Sequence, residues 1–161
     1  MRNAYFKYFF AALTLAFLAF VFTKQFFDLS VSLVSDASLS LSYFENPKVR
    51  LVETILFVVA IGVIPLLLLR VNKFARISSP KESLFISSII IGFGIISWLL
   101  RILYLRFALA SLQEKLRLAE YTSLDHIAWM SFDDTHFEIF LFAGLLIGTL
   151  INFWIFKKKQ T

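Results

Sequence analysis

A chain of 161 residues in which 59% are hydrophobic and 20 are phenylalanine, at a mean hydropathy of +0.79, does not have the composition of a soluble domain. Cysteine is absent, which excludes a disulfide framework, a thiolate nucleophile and any cysteine metal site. The formal net charge of +5 is read as a membrane-topology signal, with no nucleic-acid partner implied.

Four stretches approach the roughly 20 apolar residues that a hydrocarbon core requires: residues 8–27, 51–69, 84–104 and 136–156. They predict an all-α polytopic membrane protein, one domain over residues 1–161, with outer loops at 28–50 and 105–135. The first run follows Arg2 and Lys7 in the manner of a secretory leader, but no small-x-small cleavage site follows it, so the span is expected to stay. Its Ala12, Ala16 and Ala19 recur at helical spacing and offer a close-packing face.

Past the first span, Leu29 to Tyr43 reads LSVSLVSDASLSLSY, with serine and apolar residues alternating. An antiparallel register that opposes Leu33 to Leu39, Val31 to Leu41 and Leu29 to Tyr43 puts apolar residues on one face and serines on the other. The alternation predicts an extracytoplasmic β-hairpin, an outer platform for recognition or assembly.

The second span holds Gly62 and Pro65, the latter predicting a kink because proline cannot donate to the Ile61 carbonyl. Glu53 in this span and Arg101 in the third lie at similar depth, so an ion pair between them is geometrically reasonable, with snorkelling of each to the interface as the alternative. Trp98 and Tyr104 fit an outer aromatic belt and Trp154 an inner one. After Arg106, Leu109, Leu112, Leu116 and Ala119 keep a helical period among charged residues, so the third span is expected to continue as a helix beyond the bilayer. Asp125, His126, Asp133, Asp134 and His136 follow in the outer loop, in a spacing that matches no metal motif; a solvated acidic loop is expected, with no metal or cofactor. Thr135 and Glu138 have the form of a capping box for the fourth span, which contains Gly144, Gly148 and, one turn on, Asn152. That GxxxG with an amide predicts a helix contact sealed by a hydrogen bond, within the bundle or between subunits of a homo-oligomer.

Lysine and arginine set the orientation. Arg2, Lys7, Arg70, Lys73, Arg76, Lys81 and the tail Lys157, Lys158 and Lys159 make nine positive charges against the single acid Glu82, while the other side carries seven positives and ten acids. Both termini are therefore expected in the cytoplasm of a bacterial inner-membrane protein. The cytoplasmic segments are too short for a catalytic domain. The spans also lack the paired aspartates of lipoprotein signal peptidase and the facing histidines of a transmembrane haem site, and the chain lacks the cysteines of quinone-linked disulfide-forming oxidoreductases. An enzyme is not expected.

The overall plan, four spans with both ends inside, structured outer loops and a lysine-ended tail, resembles that of two bacterial defence groups. These are the membrane subunit of Kiwa-type anti-phage systems and the immunity proteins against pore-forming colicins. The resemblance is architectural and carries no family residue over. It implies outer elements that meet a phage or toxin component and, in the Kiwa case, a cytoplasmic surface that holds an effector. Arg70, Lys73, Arg76, Lys81, Lys157, Lys158 and Lys159 would form that surface and suit an acidic protein partner, which makes the protein a sensor and anchor. Lateral binding of a toxin in the membrane, or a small oligomeric channel, are the alternatives.

Overall fold

The computed structural model describes residues 2–34, 47–75, 79–118 and 135–160. They form four α-helices in chain order, α1 (Arg2–Val34), α2 (Pro47–Phe74), α3 (Pro80–Leu118) and α4 (Phe137–Gln160). Each is long and apolar enough to cross a membrane. The chain is all-helical over the described residues and has the make-up of a multi-pass membrane protein.

Local sequence explains where the helices begin. Pro47 and Pro80 stand at first helical positions, where the missing N–H has no intrahelical partner to lose. The Ser79 carbonyl accepts the Ser83 N–H at 3.2 Å, so Ser79 is the N-cap of α3, with Glu82 three residues on in the position of a capping-box acid. For α4 the first bond runs from the Phe140 N–H to the His136 carbonyl at 3.2 Å. The N-cap is thus His136, one residue later than the Thr135 box implies, and its φ of 47° turns the chain into the helix. The Pro65 ring sits inside a helix that continues past it to Phe74.

The hairpin expected after the first span is overturned over its first limb. Leu29, Val31 and Leu33 belong to the last turns of α1, and Leu39, Leu41 and Tyr43 lie outside the described residues. Helix propagation outweighs the alternation of two because each added residue gains a backbone bond once the helix is nucleated. Burial confirms the period: Phe27, Ser30 and Val34, spaced by three and four, are buried, whereas Leu29 is 51% and Leu33 39% exposed. Ser30, beside the exposed Leu29, is an inward residue. The expected extension of the third span is found, since α3 runs to Leu118.

The helices associate as two pairs adjacent in sequence, α1 with α2 and α3 with α4, joined mainly by α2 against α4. Three apolar clusters succeed one another along the bundle. One gathers Phe27, Val34, Ile102, Leu105, Leu109 and Phe137; a middle one Ala19, Phe57 and Leu141; a third Ala60, Val71, Ile86, Ile90, Leu145 and Phe156. Phe6, Phe9, Phe17 and Phe20 are more than half exposed on the outside of α1, the arrangement of a surface whose solvent is lipid.

Candidate functional site

Small residues set the helix spacing. A Cβ on Gly144 would press on the Phe93 carbonyl oxygen and lie 2.6 Å from Ser97 Cβ and 2.8 Å from Gly94 Cα. One on Gly148 would lie 2.9 Å from Ile90 Cα. The GxxxG face of α4 is therefore occupied by α3 of the same chain. Asn152 is fully buried beside it, its Nδ2 donating to the Gly148 carbonyl at 2.9 Å and, across to α3, to the Ile86 carbonyl at 3.4 Å. Ala12 and Ala16 meet α2, where a Cβ on Gly62 would lie 3.0 Å from Ala16 Cβ, and Ala19 packs with Phe57 and Leu141. All six of these small or amide residues make contacts within one bundle.

At the end of the bundle where α1 finishes and α4 begins, polar groups gather inside the helices. Ser30 Oγ donates to the Phe26 carbonyl at 2.7 Å and accepts from Trp98 Nε1 at 3.0 Å, which ties α1 to α3. Trp98 thus points inward, contrary to its expected place in the aromatic belt; Phe26 lies 5.8 Å from it and stacks on Phe57 at 4.3 Å. Tyr104 and Trp154 do face outward. Arg101 Nε donates to the Thr135 carbonyl at 2.9 Å, and its guanidinium lies 5.3 Å from the Tyr104 ring and 4.9 Å from the Phe140 ring. It pins the entry of α4 to α3. Glu53 and Glu138 are both buried at this end, and Glu138 Oε2 finds no hydrogen-bond partner among the described residues.

The opposite end carries the cations. Lys81 and Lys157 are exposed there, Lys158 and Lys159 continue α4, and Arg76 lies outside the described residues. Asn72 Nδ2 donates to Ser83 Oγ at 3.0 Å and to the Tyr8 hydroxyl at 3.3 Å, so one amide links α2 to α3 and α1. Beside it Lys73 Nζ donates to the Tyr5 hydroxyl at 2.9 Å. Tyr5, Leu66, Leu69, Arg70 and Lys73 line a groove of about 420 Å³ between α1 and α2. Sequence reasoning had the cations but missed the two tyrosines, which lie in an apolar run with nothing but their phenol oxygens to mark them.

His136 is exposed at the start of α4, while Asp125, His126, Asp133 and Asp134 lie outside the described residues. The arrangement defines a class, a four-helix multi-pass protein with a polar interior layer at one end and a cationic rim at the other. No family model, curated protein or solved structure matches this chain.

Proposed function

We propose that this protein is a non-enzymatic sensor and anchor of the bacterial inner membrane, a homo-oligomer with both termini cytoplasmic, of the kind used in anti-phage defence. The observation that supports it best is the length of α3. Its 39 residues make a rod of roughly 58 Å, against about 30 Å of hydrocarbon and 40–45 Å for the whole bilayer. The excess lies at the end away from the cationic rim, beside the last turns of α1. These two helix ends, with exposed Leu29, Leu33 and Phe107, replace the hairpin as the outward contact surface. In this reading they receive a phage or toxin component, or a second subunit, and the cationic end docks an acidic cytoplasmic protein.

The test is native mass spectrometry of the protein gently extracted from its host with neighbours still bound. A homo-oligomer carrying an acidic soluble protein, lost when Lys81→Glu is combined with Lys157→Glu, is the expected result. A bare monomer would overturn the reading. That outcome would favour an immunity protein instead, which is supported by an apolar groove of about 450 Å³ beside α1 and α2, lined by Phe20, Leu51, Ile55, Val58 and Val59 among others and open to an intruding helix.

A further inference from the structure

We propose that the groove formed by Tyr5, Leu66, Leu69, Arg70 and Lys73 is a binding site for the phosphate headgroup of an anionic phospholipid. Its rim presents two cations and a phenol, and none of its lining residues is acidic. Arg70 and Lys73 are three residues apart on α2, so both project from one face of the helix. The guanidinium offers a planar fork that matches two phosphate oxygens, and the ammonium adds a compact charge beside it.

The tyrosine is already set for this role. Lys73 Nζ donates to the Tyr5 hydroxyl at 2.9 Å and stands 5.7 Å from the ring centroid. Because the phenol oxygen accepts from the ammonium, its own proton remains to be donated. Lys73 keeps two further N–H groups, so the pair presents donors to an anion with the lysine side chain already fixed in place.

The apolar wall decides between a lipid and a free anion. Leu66 and Leu69 continue the groove along α2 toward the bilayer, with Leu66 39% exposed. A soluble phosphate makes no use of those leucines, whereas an acyl chain lies against them while its headgroup meets the cations. The site stands at the end of helices that cross the membrane, where Lys and Arg meet the headgroup layer.

The experiment uses purified full-length protein and native mass spectrometry with phosphatidylglycerol or phosphatidylcholine supplied at equal concentration. One phosphatidylglycerol should be retained with roughly tenfold to thirtyfold preference, the scale set by two cations near an anionic headgroup. Arg70→Gln with Lys73→Gln should bring the two lipids to parity. Tyr5→Phe, which keeps the ring and should leave the fold intact even if the double variant does not, should lower the preference by a few fold. Equal retention of both lipids by the unaltered protein would overturn the proposal, as would an unchanged preference in the double or the Tyr5 variant. Displacement of phosphatidylglycerol by excess inorganic phosphate would assign the site to a free anion and overturn the lipid. No protein partner is present in the assay, so its failure is distinct from failure of the docking at Lys81 and Lys157.

Discussion

A hydroxyl carried into lipid must find an acceptor, and in these helices it finds one on its own backbone. Thr14, Thr23, Ser88 and Thr149 each donate to the carbonyl four residues back, at 2.8 to 3.0 Å. Ser32, Ser87 and Ser111 reach the carbonyl three back. With its polar group closed locally, a serine costs a transmembrane helix little. That explains why the alternation of serine and apolar residues misleads where it begins: Ser30 and Ser32, which suggest a strand's polar face, are satisfied inside a helix. Glycine contributes the other residue-scale effect, and it differs sharply by position. Gly144→Ala should destabilise the protein by about 1–3 kcal/mol through overpacking against α3. Gly92, with nothing within 4 Å of its would-be Cβ, is the control. Gly92→Ala should be neutral or stabilising by up to about 1 kcal/mol from helix propensity. Thermal unfolding of both variants in one detergent checks the pair, and equal melting temperatures would remove the argument for close approach.

At the scale of the helix, positions of spans were legible because runs of about 20 apolar residues have few other fates. Partners were not legible. Gly144 and Gly148 announced a close contact without naming α3, because one glycine face is sterically as good a host for a sister subunit as for a neighbour in the same chain. Trp98 was misplaced for a related reason: an indole is at home in the interface or inside, and only the Ser30 oxygen decides. That single bond also joins α1 to α3, which otherwise touch over a small area. Trp98→Phe keeps the ring and removes the donor. The expected loss is about 0.6 kcal/mol, the average for such bonds between membrane helices. Amide exchange over residues 27–34 should then run about threefold faster by the tenfold-per-1.4 kcal/mol relation. Unchanged exchange there, with the variant folded, would show that apolar packing of Phe27 and Val34 alone holds the end of α1.

For the whole molecule the charge asymmetry makes the most exposed claim. In the sequence nine cations and one acid flank the spans on the side where α1 begins and α4 finishes, and the proposed orientation, argued from the positive-inside rule, has that side in the cytoplasm. Because the chain has no cysteine, single introduced thiols report orientation without background. Lys81→Cys should react with an impermeant maleimide only after the membrane is opened, and Leu33→Cys should react in intact spheroplasts. The reverse pattern would invert the topology and with it the assignment of inward and outward surfaces.

The pairing of helices adjacent in sequence has a consequence for how the protein is made. The ribosome delivers α1 and α2 before α3 exists, and these two can seat together at once, Ala16 against Gly62. Ser30 then lacks the indole it will later receive, and Asn72 has Tyr8 but not Ser83. A half-made chain therefore carries spare hydrogen-bonding capacity, a lone pair on Ser30 and an N–H on Asn72, on the face that the second pair will cover. Those groups distinguish the unfinished product from the finished one, a difference that membrane quality control can act on before synthesis is complete.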